Sequence, residues 1–206
     1  GAYVANPGYV FGSAGVPRGA VITAVNGTAI AGIADLEGAV DKLGDGDRTT
    51  IRYATIDDPN GSQLRSVRMD RRWFPAQRCK RNDGTGYWDC RALATPPPPK
   101  APVAGSTVFQ TVSDPQVARI VPSLVTVTFD MPYAVAGVTE RHYYGTGLVV
   151  DAARGLVVVD RNTVPVSLGD VRVTFAGTLE VPGRVVFVHP LHNLAMLQYD
   201  PTLIGT

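Results

Sequence analysis

Two cysteines offer the most direct chemistry in this 206-residue chain. Cys79 and Cys90 lie on either side of the turn sequence Asn82–Gly86, so they face each other if this segment folds as a hairpin. A disulfide is favoured, while two free thiols and half of a zinc site remain as alternatives. A zinc site needs two further ligands, but the histidines lie far along the chain in a different predicted domain, so no metal is expected. The histidines are His142, His189 and His192.

The common catalytic and phosphate-binding motifs are missing from the sequence. It contains no P-loop, no His-Glu-x-x-His, no pair of Cys-x-x-Cys motifs and no Gly-x-Ser-x-Gly. The segment Phe11-Gly-Ser-Ala-Gly15 comes near the last motif but lacks its first glycine, and we predict a structural turn on a loop there. No cofactor is expected.

Composition and charge exclude several classes of protein. Hydrophobic residues make up 45% of the chain and charged residues 18%, which is typical of a folded domain and not of a disordered chain. The net charge of +1 gives no whole-protein attraction to nucleic acid or anionic lipid. No apolar stretch approaches the roughly 18 residues that suggest a membrane span. We therefore expect neither a nucleic-acid partner nor a membrane span.

A basic run between residues 65 and 81 is the one local exception to this charge balance. An acidic peptide or nucleic acid could bind it, but the aromatic interleaving typical of RNA-binding modules is missing, so a solvated strand edge is favoured. The run consists of Arg65, Arg68, Arg71, Arg72, Arg78, Lys80 and Arg81.

Residues 1–72 are predicted to form one unit of strands and a helix. Apolar residues recur at helical spacing over 33–43, with Asp35 able to cap the start and Gly44 the end. Asn26-Gly27 predicts a tight turn, and residues 57–61 predict a hairpin turn. The predicted strands are 1–6, 19–26, 48–56 and 63–70.

The rest of the chain divides into a hairpin, a linker and an all-strand unit. The cysteine hairpin covers residues 73–93, and a proline-rich linker covers 94–116. Residues 117–206 contain short strands separated by glycine and proline turns, which predicts a small closed barrel. The predicted strands are 121–130, 144–151, 155–160, 170–176, 184–189 and 194–199.

Three motifs of this last unit resemble the first β-barrel of HtrA-type serine proteases. They are Tyr144-Gly-Thr-Gly-Leu-Val-Val-Asp151, Gly155-Leu-Val-Val-Val-Asp-Arg-Asn-Thr-Val164 and His192-Asn-Leu-Ala-Met-Leu197. Residues 1–72 resemble a PDZ domain. A PDZ-like unit ahead of such a barrel resembles the members with twin protease domains, and the second motif resembles the degenerate second protease domain of fungal nuclear members. The resemblance implies a mainly β fold, in which a PDZ-like domain precedes a six-stranded trypsin-like barrel, half of a chymotrypsin-type fold.

The resemblance also implies that the catalytic triad is lost. Asn162 stands at the family's general-base histidine and Asn193 at its orienting aspartate. An asparagine amide does not titrate near neutral pH and cannot accept the serine proton. His192 adjoins the aspartate position, but on a strand it would face the other side. The nucleophilic serine belongs to a second barrel expected after residue 206, so the chain itself is predicted to be inactive although its family is that of trypsin-like endopeptidases.

These features predict a non-catalytic fragment of an HtrA-like protease homologue that has a scaffolding or regulatory role in protein quality control. The alternatives are a module that binds peptides or proteins, and an active domain with an unconventional dyad. The expected partners are peptides or unfolded proteins, although no peptide-binding residue can be named because the first PDZ strand is expected to be missing.

Self-association and cellular location complete the expectations from sequence. An open PDZ sheet edge and an uncovered barrel face predict a homo-oligomer or a strand-swapped dimer. A Cys79–Cys90 disulfide would favour the periplasm or another extracytoplasmic location, and free thiols would favour an intracellular one.

Overall fold

The computed structural model of the chain describes residues 1–74, 76–93, 100–133, 136 and 140–205. The chain divides into two compact units, Gly1–Lys100 and Ala101–Thr206. Residues 94–99 of the predicted linker lie outside the described residues. Within the described part of the chain, no helix is long and apolar enough to cross a membrane.

The first unit is built on a five-stranded antiparallel sheet. Its main path runs β1-β2-β4-β5, and β3 pairs with β2 away from that path. Ile22, Ile51 and Tyr53 are fully buried in its core. The strands are β1 (Ala2–Tyr3), β2 (Ala20–Val25), β3 (Thr28–Ala29), β4 (Arg48–Thr55) and β5 (Gln63–Arg68).

The turn and the helix predicted in this unit are present. Asn26 and Gly27 have φ values of 47° and 79°, the left-handed conformation that a two-residue hairpin turn requires. Helix α2 (Ile33–Val40) begins after Gly32, and the Asp35 carboxylate accepts hydrogen bonds from the backbone N–H groups of Ala31 and Gly32. The helix ends three residues before the predicted boundary.

Helix α1 (Gly8–Ser13) corrects the loop that we predicted around Phe11–Gly15. Glycines at positions 8, 12 and 15 lower the intrinsic helix propensity of this segment. Packing outweighs that cost, because Tyr9 is buried and Phe11 packs against the core of the sheet. Backbone bonds from Gly15 to Gly12 and from Val16 to Phe11 then close the segment.

A separate two-stranded sheet carries the cysteines. Strands β6 (Gln77–Arg81) and β7 (Trp88–Ala92) pair so that Cys79 lies opposite Cys90, and the two residues form a disulfide. Every residue of β7 is exposed. The hairpin predicted from the spacing of the two cysteines is therefore present.

The second unit is a closed antiparallel barrel with the strand order β10-β13-β12-β11-β8-β9. Alternate residues of each strand face its interior, as Val171, Val173 and Phe175 of β11 do. The mainly β fold class, with a six-stranded trypsin-like barrel, is confirmed. The strands are β8 (Leu124–Asp130), β9 (His142–Asp151), β10 (Leu156–Val159), β11 (Asp170–Phe175), β12 (Leu179–Val188) and β13 (Ala195–Tyr199).

Helix α3 (Pro115–Ile120) corrects the prediction that the second unit contains strands alone. The Asp114 side chain caps it by accepting hydrogen bonds from two backbone N–H groups, and Pro115 fits the first turn because that position needs no N–H donor. A 3-10 turn at Val121–Ser123 follows, so β8 begins three residues later than predicted.

Candidate functional site

The turn that carries Asn162 lies directly after β10. The Asp160 carboxylate accepts hydrogen bonds from the Thr163 backbone N–H at 3.0 Å and from its hydroxyl at 2.8 Å. Thr163 and Val164 are buried, which anchors the far side of the turn. Asn162 itself is exposed, so its amide faces solvent.

The loop that carries Asn193 follows β12 and is organised by His189. The Nδ1 atom of His189 accepts hydrogen bonds from the backbone N–H groups of Leu191 at 3.1 Å and His192 at 2.9 Å. The His189 backbone N–H donates to the Leu194 carbonyl at 2.9 Å, which closes the loop. These bonds hold Asn193 between a fixed turn and the start of β13.

His192 lies in this loop, and not on a strand as we predicted. Strand β12 ends at Val188 and β13 begins at Ala195. The His192 ring packs against the His189 ring with a centroid distance of 4.5 Å. The alternation of side chains along a strand therefore does not determine where the His192 side chain points. The prediction was wrong because the Asn193–Leu194 step belongs to the loop, which the apolar pattern alone does not reveal.

Arg161 brings the two loops together. Its backbone N–H donates to the Asn193 side-chain oxygen at 2.8 Å. Its guanidinium donates to the carbonyl oxygens of His189 at 2.9 Å and Pro190 at 3.2 Å. Since Asn162 is the next residue in the chain, the two asparagines singled out from sequence lie on adjoining loops at the same end of the barrel.

This end of the barrel can form hydrogen bonds but holds no titrating group at either asparagine position. The Asn193 amide already accepts one bond, and neither amide can take up a proton near neutral pH. The described residues contain no group of three or more side chains suited to a metal ion. The available chemistry at Asn162 and Asn193 is therefore binding and positioning.

A second polar cluster in the barrel was not found from sequence. Asp130 is 4% exposed, and its carboxylate accepts a hydrogen bond from the Arg172 guanidinium. Its other oxygen lies 2.8 Å from His142 Nδ1. Asp130 and His142 are direct partners across β8 and β9, so strand register creates the pair. The sign of this cluster in the sequence is Asp130, a charged residue at the end of a strand in which apolar and polar residues alternate.

Much of the basic run is engaged in contacts within the chain. Arg71 donates to the Val40 carbonyl, and Arg72 lies 2.5 Å from the Asp70 carboxylate. Arg78 binds the Glu37 carboxylate, as does Arg91 from the facing strand. Hydrogen bonding from Arg78 is the largest cause of a lowered pKa for Glu37, and Arg91 lowers it further. These contacts use the charge to hold the unit together.

The fold class and the motifs define a mainly β protein with a six-stranded trypsin-like barrel, half of a chymotrypsin-type fold. Relatives support this class, although no family profile matches the chain. The chain is 37% identical over 208 residues to "Pro-apoptotic serine protease nma111" of Neosartorya fischeri, which covers 99% of this chain and 20% of that protein. It is 43% identical over 164 residues to the protein of the same name in Aspergillus clavatus, covering 78% of this chain and 16% of that protein.

A third relative extends the match to another fungal genus. "Pro-apoptotic serine protease NMA111" of Chaetomium globosum is 40% identical over 161 residues, which is 76% of this chain and 16% of that protein. The chain is therefore homologous to a segment of HtrA-type serine proteases, and the recognition of this family from the sequence is confirmed. The chain spans about a fifth or less of the length of these relatives.

Proposed function

We propose that this chain is a non-catalytic part of an HtrA-type serine protease homologue, with a scaffolding or regulatory role in protein quality control. The observation that carries this proposal is the meeting of two asparagine-bearing loops through Arg161. On the family resemblance, Asn162 and Asn193 occupy the positions of the general base and its orienting acid. An amide at the first position cannot accept the serine proton, and a neutral one at the second cannot stabilise an imidazolium.

Protease assays on the purified chain test this proposal. We expect no cleavage of casein and no covalent labelling by a fluorophosphonate probe, which reacts with activated serines. A trypsin sample diluted to the same molar concentration serves as the positive control. Casein cleavage that the probe abolishes would overturn the proposal.

The alternative is a peptide-binding module in the PDZ-like unit. Strand β1 (Ala2–Tyr3) ends the main path of the sheet, and Tyr3 is 53% exposed. A peptide could add there as a further strand, with backbone hydrogen bonds supplying affinity. Titration of labelled peptides with free and amidated carboxyl termini separates the two functions. Saturable binding that amidation weakens at least tenfold would favour this alternative, and equal or absent binding would favour the scaffold.

The state of the disulfide in the cell indicates the compartment in which the protein resides. A bond between Cys79 and Cys90 that persists there supports an extracytoplasmic location, since stable disulfides form in oxidising compartments. Alkylation of thiols in freshly lysed cells, followed by mass measurement, reads that state directly. Full alkylation of both cysteines would instead support an intracellular location.

A further inference from the structure

The disulfide hairpin places two arginines in direct opposition. Arg78 on β6 faces Arg91 on β7, and the next pair along the ladder is Cys79 and Cys90. Like charges directly opposite each other destabilise an antiparallel pair. A two-stranded sheet with an exposed strand has little else to hold it, because an isolated hairpin is marginally stable in water. The neighbouring disulfide is therefore the strongest constraint that keeps the two arginines side by side.

One carboxylate on helix α2 binds both arginines. Glu37 Oε2 accepts a hydrogen bond from Arg78, and Glu37 Oε1 accepts one from Arg91. The Glu37 side chain is 15% exposed although α2 has no fully buried residue, so the hairpin shields it. Each oxygen of the carboxylate accepts a hydrogen bond from a different strand of the hairpin. Both hydrogen bonds therefore form only when both strands are in place.

We propose that the hairpin β6–β7 is a redox-sensitive clasp on helix α2. In the oxidised chain, the Cys79–Cys90 bond keeps Arg78 and Arg91 side by side, and both arginines bind the Glu37 carboxylate. When the bond is broken, only Glu37 and the ladder of a marginally stable hairpin still oppose the repulsion of the two guanidinium groups, and the strands separate. Glu37 then keeps one arginine at most, and the surface of α2 around it becomes accessible.

The step that opens the clasp is a thiol–disulfide exchange. A cellular dithiol donates two electrons and two protons, so that the S–S bond breaks, both cysteines become thiols and the dithiol becomes a disulfide. Cys90 lies on the exposed strand, which gives an attacking thiolate access to the bond. Reoxidation reverses the exchange and restores the clasp.

Hydrogen exchange of the whole chain, followed by mass spectrometry, tests the clasp. We compare the oxidised chain with the chain reduced by dithiothreitol, and we verify each state by alkylation. Reduction is expected to speed exchange at least threefold in both the hairpin (77–92) and α2 (33–40), while the core strands β2 and β4 keep their rates. Unchanged α2 exchange, or equal acceleration in β2 and β4, would contradict a local clasp.

A matched pair of variants separates the carboxylate contact from the disulfide. Glu37→Gln is expected to speed hairpin exchange at least threefold with the disulfide still formed, since a neutral amide grips two guanidinium groups weakly. Asp83→Asn is the control, because Asp83 lies 3.8 Å from Arg81 at the exposed tip of the hairpin and away from Glu37. Equal rates in wild type and E37Q, or equal acceleration by D83N, would overturn the proposal.

Discussion

The side chains of Asn162 and Asn193 determine what the end of the barrel can do. Both are amides, and the oxygen of Asn193 is occupied by the Arg161 backbone N–H at 2.8 Å. A hydrogen bond of this kind fixes one loop against another, but it transfers no proton. Sequence identified both residues, while the contact through Arg161 depends on loop conformation that residue spacing does not encode.

Asp130 is the residue for which we predict the largest stability effect in the barrel. Asp130→Asn removes the charge that neutralises Arg172, whose side chain is only 20% exposed. Breaking a buried ion pair from one side costs about 3–5 kcal/mol, and the Glu180 carboxylate at 3.9 Å compensates in part. We expect urea unfolding of the barrel to show a loss of at least about 2 kcal/mol.

Asp151→Asn is the matched control for this substitution. Asp151 lies 3.9 Å from Arg154, whose side chain is 74% exposed. Exposed ion pairs contribute roughly 0–1 kcal/mol, so the control should unfold close to wild type. Equal free energies of unfolding for the two variants would show that Asp130 stabilises the barrel no more than a surface charge does.

The strands were more predictable than the helices. The alternation in residues such as Val171, Val173 and Phe175 reports burial on one face of a sheet, so all six barrel strands were found with shifted ends. Helices α1 and α3 are six residues each, too short for apolar periodicity to stand out. Tertiary packing stabilises α1, and this information is not local in the sequence. Asp114-Pro115 is a typical start of a helix, so these two residues are the local signal for α3 in the sequence.

Gly155 is the glycine of the barrel at which an added side chain would meet both a left-handed backbone and a close backbone neighbour. Its φ is +66°, and an added Cβ would lie 2.1 Å from the Tyr199 carbonyl oxygen. Gly155→Ala is expected to lower the free energy of unfolding by more than about 1 kcal/mol. A left-handed backbone at a non-glycine residue costs roughly 1–3 kcal/mol, and the clash with the Tyr199 carbonyl adds to that cost. Thermal unfolding followed by circular dichroism measures the change.

Gly38→Ala in α2 is the opposite case and serves as the control. Nothing lies within 4 Å of the added Cβ, and its φ is not in the left-handed region. Alanine in place of glycine within a helix should stabilise the unit by roughly 0.5–1 kcal/mol. A destabilised G38A or an unaffected G155A would contradict this account of the two elements.

At the scale of the whole molecule, the outside of the barrel carries an exposed apolar surface. A row of apolar residues crosses the outside of five barrel strands, where each member is the register partner of the next. Leu124, Leu148 and Phe187 of this row are 41%, 43% and 46% exposed. The row consists of Leu124, Leu148, Val158, Met196 and Phe187. The sequence predicts that one face of the barrel is uncovered, which stays a prediction, while the members of the apolar row follow only from the strand register.

We predict that this apolar row makes the isolated chain self-associate. Light scattering after gel filtration should give a mass near twice that of the 21.9 kDa monomer at high concentration. Leu148→Lys should restore the monomer mass, because a charge within the row opposes burial. Thr146→Lys, two residues along the same exposed face, is the control and should stay associated. A monomer mass for wild type would refute the prediction.

The central claim is that Asn162 takes no part in proteolysis, and it is tested most directly in the longest natural form of the protein. Steady-state cleavage of casein is compared for wild type, Asn162→Ala and the control Ser167→Ala, since both positions are exposed. The account predicts the same result for all three proteins, either no cleavage in any of them or kcat/KM values within about threefold of each other, because an amide at position 162 transfers no proton. A loss of a hundredfold or more in N162A, with S167A unchanged, would contradict it and assign Asn162 to the catalytic machinery.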